Sequence, residues 1–221
     1  MSRPKVVQEM QYMELEVSSV LKGLEEAHKT YEKWSGGETL HGAEYIATYC
    51  VARAVLRLES VGYVTVESNV RHSIKDAGGT LQGNKATYIK KGERFDIAVW
   101  DRLKNSKIKG LIEIKTSVWG FAYLQKDIDK LCKALKRIST KCFGHIAFFT
   151  ALPSGTFKSA EDRLSQRMER LHLRSDDYSR KRYGFSVKRH NSSVRVEPYT
   201  DESGMQREWA WTVEVFEFIK N

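Results

Sequence analysis

The sequence predicts an α/β domain in which a mixed central β-sheet is flanked by helices, and three observations carry that expectation. Arg94–Trp100 and Leu111–Thr116 are short runs rich in β-branched and aromatic residues with alternating apolar positions, the pattern of strands. Gly144–Ala151 is continuously apolar, as expected of a strand buried on both faces. Between and after these runs, stretches with helical spacing of apolar residues separate strand from strand.

Taken in order, residues 5–34 read as one long helix containing a single glycine, Gly23. Val6, Met10, Met13, Val17, Val20, Leu24, Ala27, Tyr31 and Trp34 follow alternating steps of four and three, a heptad seam. Residues 1–36 are therefore expected as a helical arm ahead of a domain spanning 37–221. Such a seam serves either a homodimer or a helix folded back on its own body. A second helix is expected over about 39–60, with Thr39 as N-cap, a stripe of Ala43, Ala47, Cys50, Ala54 and Leu58, and Glu44 near its start.

Tyr63–Val70 reads as a first strand, and the polar, glycine-bearing residues 71–93 as a long loop, with 86–89 extended. In the next strand Phe95, Ile97 and Val99 are expected on one face, with Asp96 on the other. The basic linker 101–110 leads to Ile112 and Ile114 on one face, Glu113 and Lys115 on its opposite. An amphipathic helix follows over about 122–138, with Leu124, Ile128, Leu131 and Leu135 inward and Lys126, Lys130 and Lys133 outward. Another, roughly 159–173, turns Leu164, Met168 and Leu171 inward. The last third is β-rich at 185–187, 194–196 and 208–218, with a basic cluster of Arg180, Lys181, Arg182, Lys188, Arg189 and His190 between the strands.

Composition excludes several classes. The longest apolar runs fall short of the ~20 residues of a membrane helix, and the first nine residues lack the apolar core of a signal peptide. The three cysteines are odd in number and have no zinc-type pairing. A cytoplasmic protein without membrane partners is expected. Net charge is +9, unevenly spread: residues 1–70 hold 7 Lys/Arg against 10 Asp/Glu, the remainder 30 against 18. A basic field of that size draws polyanions, with nucleic acid the commonest.

Glu44 on a helix, Phe95-Asp96 on one strand and Glu113-Ile114-Lys115 on the next, followed by a helix and an apolar strand, resemble the PD-(D/E)xK nuclease superfamily. The resemblance covers roughly residues 39–151, with Phe95 standing where the motif's name has Pro. It implies a restriction-endonuclease-like fold and Mg²⁺-dependent hydrolysis of DNA, with Mn²⁺ as substitute. Asp96, Glu113, the Ile114 carbonyl and Glu44 would hold the metal, and Lys115 would orient the attacking water. Glu67, on the first strand, is the rival to Glu44. Phosphate contacts are expected from Lys90, Lys91, Arg163, Arg167, Arg170, Arg180, Lys181, Arg182, Lys188 and Arg189.

Against this stands a plain cross-strand salt bridge among Asp96, Glu113 and Lys115, contributing under ~1 kcal/mol. A sheet covered on both faces argues the other way, because it makes unpaired carboxylates costly unless a metal or cavity receives them. The rival functions are a non-catalytic nucleic-acid-binding protein on the same fold and a protein-interaction module working through the heptad helix. Motifs of other hydrolase and nucleotide-binding classes (Gly-x-Ser-x-Gly, a Gly-rich loop ending Lys-Ser/Thr, His-Glu-x-x-His) do not occur.

Overall fold

A computed structural model describes residues 5–36, 43–81, 89–101, 107–138, 141–155, 158–201 and 203–221, with side chains from residue 16 onward. The order is α1 (Lys5–Ser35), α2 (Glu44–Leu56), β1 (Tyr63–Asn69), α3 (Val70–Asp76), β2 (Arg94–Trp100), β3 (Ile108–Lys115), α4 (Phe121–Leu135), β4 (Phe143–Pro153), α5 (Ala160–Tyr183), β5 (Phe185–Asn191), β6 (Arg195–Thr200) and β7 (Gln206–Lys220). The expected N-cap Thr39, the stretch 86–88 and the linker positions 102–106 lie outside the described residues. No described helix is long and apolar enough to cross a membrane.

The strands form one mixed sheet in the order β1-β2-β3-β4-β7-β5, with β6 also on β7. β3 and β4 are parallel, joined through α4, and the other pairings are antiparallel. A parallel pair needs a crossover of this kind, and it leaves the carboxyl end of β3 beside the start of a helix. β5 pairs with residues 214–220 of β7 and β6 with 206–211, so the two lie along one edge as a single bent strand.

Helices cover both faces. On one, Val20 and Leu24 of α1 and Ala47, Val51 and Val55 of α2 pack on Ile97, Val99, Ile112, Ile114 and Val213. On the other, Ile74 of α3, Leu124, Ile128 and Leu131 of α4 and Leu164, Met168 and Leu171 of α5 pack on Ala98, Leu111, Ile146, Phe148 and Phe216. β4 feeds both cores by alternation, which explains its unbroken apolar run. At Gly23 α1 lies so close to α2 that a Cβ there would stand 2.6 Å from Val51 Cα.

The heptad seam is thus intramolecular from Val17 to Ala27, all four of its residues there being buried against α2 and the sheet. Trp34, at the end of the seam, is 70% exposed. Two elements differ from expectation. Residues 70–76 form α3 rather than loop, nucleated by the Asn69 side chain, which accepts from the Arg71 and His72 backbone N–H groups. The helix expected to stop near residue 173 runs to Tyr183, where Gly184 closes it at φ +75. Arg180, Lys181 and Arg182 therefore stand on its last turn and not in a loop between strands. Exposed Asp176–Arg180 and Asp177–Lys181 pairs at i,i+4 support that extension.

Candidate active site

The pairing of β2 with β3 runs from Trp100 back to Ile97↔Ile112 and ends there. One residue on, the Asp96 side chain takes over: its Oδ2 accepts the Ile114 backbone N–H at 2.6 Å. On the other side of β2, Val66↔Ile97 and Ser68↔Phe95 bracket Glu67, whose backbone has φ +51. The strict alternation expected for this strand is broken at that point. Phe95 packs in the α4-side core with Ala98, while Ile97 and Val99 pack in the α2-side core. The break falls where a side-chain carboxylate, and not a ladder pairing, joins β2 to β3.

Glu113 alternates as expected: Ile112 and Ile114 enter the α2-side core and Glu113 faces α4, fully buried. Its Oε2 lies 2.8 Å from Lys130 Nζ. Lys130 also donates to the Arg94 carbonyl at 2.7 Å and stands 3.6 Å from Asp127 Oδ1. At the end of β3, Lys115 Nζ reaches both layers, 3.3 Å from Glu44 Oε1 on α2 and 3.7 Å from Asp127 Oδ2 on α4. It donates to the Ile114 carbonyl at 2.9 Å as well. Glu44, the first residue of α2, Asp96, Glu113 and Lys115 are thereby brought into one cluster, together with Asp127 and Lys130.

Asp127 and Lys130 were not legible as site residues. Lys130 was expected on the solvent side of its helix, but its side chain is only 16% exposed because it turns back to meet Glu113. The available signal was Asp127, a carboxylate spaced i+3 from Leu124 and i−4 from Leu131 within the inward stripe of α4. Glu67 stands apart, 3.6 Å from Arg94 and largely exposed.

The electrostatics show a shortage of positive charge. Burial pushes the Glu113 carboxyl well above its ordinary pKa; Lys130 opposes that, while Asp96 and Asp127 add to it. Burial likewise raises Glu44, opposed by Lys115 and reinforced by Asp96 and Asp127. Desolvation pulls the two lysines down, yet both end above their usual value. Asp127, Glu44, Asp96 and Glu113 outweigh it at Lys115, and Glu113, Asp127 and Asp96 do so at Lys130. Burial lifts the two acids and the carboxylates lift the two lysines, in a cluster of four carboxylates and two ammoniums. Glu113 Oε1, moreover, is buried without a hydrogen-bond partner among the described residues. Hard oxygen donors with a charge deficit and an orphaned carboxylate oxygen fit a divalent cation of the Mg²⁺ type.

Three potential ligand atoms within 4.8 Å of one another occur elsewhere, at His28, Glu32 and Glu197. There the Trp211 indole donates to Glu197 and the His28 ring lies 4.2 Å edge-on to Trp211, so the group belongs to the packing of α1 on β7.

The basic residues expected to touch phosphate divide by environment. Lys90, Lys91, Arg170 and Lys188 are exposed. Arg163 and Arg167 lie half-buried on α5, with the Arg167 guanidinium 5.1 Å over the Trp119 ring. Arg180 and Lys181 sit in exposed ion pairs, and Arg182 donates to the Tyr183 hydroxyl. Arg189 is committed inward, both its Nε and Nη2 bonding the fully buried Glu214 at 2.8 Å. Compared with protein-family models, curated proteins and solved structures, the chain matched none.

Proposed function

We propose that the chain is a Mg²⁺-dependent nuclease of the PD-(D/E)xK type, restriction-endonuclease-like in architecture, which hydrolyses DNA phosphodiester bonds at the cluster of Asp96, Glu113, Lys115 and Glu44. The observation that carries the reading is the convergence of these residues, far apart in the sequence, on one partly buried cluster with surplus negative charge. It lies at the carboxyl end of β3 in the parallel β3–β4 pair, where open α/β sheets receive ligands.

Asp96, Glu113 and the Ile114 carbonyl, with Glu44, are the groups that would hold the metal, Mn²⁺ substituting for Mg²⁺. Bound there, the cation supplies an activated water and neutralises charge on the phosphate. The chain's own residues do the rest. Asp96 is held in one orientation by the Ile114 N–H, and Lys130 fixes Glu113 from α4 as a positioning residue. Lys115, bridging α2 and α4 at the end of β3, presents an ammonium able to orient water and stabilise charge on the phosphoryl oxygens. A homodimer suited to double-strand cleavage would use α1 outside Val17 to Ala27, which are buried within the chain.

A second reading, a non-catalytic DNA-binding protein on this fold, is favoured by the Lys130–Glu113 and Lys115–Glu44 pairs, which give those two glutamates an ammonium each. One experiment separates the two. Supercoiled plasmid, single-stranded DNA and branched DNA are incubated with the protein in Mg²⁺, Mn²⁺ or EDTA. Cleavage is expected only with metal, and at least about 100-fold slower for Asp96→Asn and Lys115→Ala, since losing even a supporting residue of a metal site costs 10–100-fold. Asn keeps an acceptor for the Ile114 N–H, so the loss is not one of folding. Absence of metal-dependent cleavage on all three substrates, or equal rates in the variants, overturns the nuclease reading.

A further inference from the structure

Along α5, Arg163, Arg167, Arg170, Arg174 and Lys181 repeat at helical spacing, a basic stripe about 27 Å long. Aromatic rings lie under it. The Arg167 guanidinium is 5.1 Å over Trp119, that of Arg174 4.7 Å over Phe121, and that of Arg182 5.7 Å over Tyr178. At the lower end the helices α4 and α5 part to leave a groove of about 430 Å³. Its lining includes Phe121, Gln125, Arg174, Tyr178, Lys181 and Arg182, with Asp177 as the one acidic member.

The groove is built as a corner. The Phe121 and Tyr178 rings meet at 5.1 Å and 67°, and the Tyr178 hydroxyl is pinned, accepting from Gln125 and donating to Asp129 at 2.8 Å. Phe121 is buried and forms the floor, so a planar ring entering the corner would stack on the half-exposed Tyr178. Of the cations above it, Lys181 is paired with Asp177 and Arg182 stands 3.8 Å from Asp129, while Arg174 lies on an aromatic face. Further up, Arg167 Nη1 is buried with no hydrogen-bond partner among the described residues. Burial, then Arg163 and Arg170, depress its pKa, so an anion there would relieve both.

Aromatic faces alternating with arginines are the chemistry that holds single-stranded nucleic acid, bases stacking and phosphates pairing with the guanidiniums. A duplex keeps its bases stacked inside and offers this corner nothing but phosphate. We propose that the α5 face and the start of α4 form a track for single-stranded DNA, with one base in the Phe121–Tyr178 corner and phosphates on Arg167, Arg174 and Arg182. The choice of DNA rests on the nuclease reading and adds to it the form of the strand held. Trp119 and Phe121 stand in the chain between Lys115 and Asp127, two members of the acidic cluster.

Fluorescence anisotropy with a labelled oligonucleotide tests this in EDTA, where binding is read without cleavage. Single-stranded DNA is expected to bind more tightly than a duplex of equal length. Tyr178→Ala and the double variant Arg174→Ala/Arg182→Ala are each expected to weaken it about tenfold, while Lys220→Ala, exposed at the end of β7, changes it under about twofold. Tyr178→Phe, which keeps the ring, retains the binding. Duplex bound as tightly as single strand, RNA of the same sequence bound more tightly than DNA, or variants that bind like wild type would each overturn the proposal. A protein that binds single strands through these residues yet cuts no DNA keeps the track and loses the nuclease reading; one that cuts while the variants bind normally does the reverse.

Discussion

An isolated carboxylate with the burial of Glu113 would be too costly to keep ionised, and Lys130 at 2.8 Å is the partner that makes it tolerable. Removing that partner is a sharper test of the cluster than removing a carboxylate. Lys130→Ala is expected to lower stability by about 3–5 kcal/mol at pH 8 in urea unfolding. The deficit should shrink toward pH 5. Glu113 already has a raised pKa in the folded protein, so protonating it favours the fold, and that contribution is lost as pH rises above the unfolded carboxyl value. Saturating Mn²⁺ should raise the melting temperature of the variant more than that of wild type, because the cation then meets an uncompensated carboxylate. A variant as stable as wild type at pH 8 would mean that Glu113 is already protonated there. At this scale Asp96, Glu113 and Lys115 were legible, because strand periodicity puts charge where only apolar residues are at home. Lys130 was not: in the sequence it is indistinguishable from Lys126 and Lys133, and what turns it inward is a buried carboxylate 17 positions away.

At the scale of elements, α1 is the helix whose role the sequence left open between arm and body. From Glu16 to Ala27 it packs on the body, and it brings a carboxylate with it. Glu16 is 4% exposed at the opposite end of the sheet from the acidic cluster, and burial raises its pKa to about 7; Lys109 of β3 opposes the shift and Glu217 of β7 adds to it. Cys142, at the entry to β4, feels the same charge. A raised carboxyl pKa means that the contribution is complete below about pH 4.5 and is lost as pH climbs through 7. The whole effect is about 3 kcal/mol. Glu16→Gln is expected to match wild type near pH 4 and to exceed it by up to that amount at pH 8, read from urea midpoints; a constant difference across this range would show that α1 undocks or that Glu16 is solvated. Helices and strands with long periodic patterns were legible to within a few residues. α3 was not, since seven residues hold too little pattern and its one signal is the Asn69 cap. The reach of α5 was missed because its last ten residues carry charge pairs in place of an apolar stripe.

For the whole molecule the decisive feature is the opposition of near and far fields. Residues 71–221 carry 30 Lys/Arg against 18 Asp/Glu, while the cluster at the end of β3 holds Glu44, Asp96, Glu113 and Asp127 against Lys115 and Lys130. A phosphate drawn in by the basic surface is repelled over the last few ångströms unless a cation stands among the carboxylates, so binding and positioning should have separate electrostatic origins. Affinity in EDTA then reports the basic surface alone. With phosphates on Arg167, Arg174 and Arg182 and a fourth on the exposed Arg170 beside them, log K for single-stranded DNA is expected to fall against log salt with a slope of about −3. Arg170→Ala, which removes an exposed arginine of the stripe and touches neither the groove nor the cluster, should make the slope shallower by about 0.7. Adding Ca²⁺, a hard cation that takes the same oxygen ligands, should tighten binding of wild type but not of Asp96→Asn, because only wild type retains the full set of carboxylates to hold it. A slope near zero, or one that Arg170→Ala leaves unchanged, would mean that the α5 stripe is solvated surface and not a phosphate track.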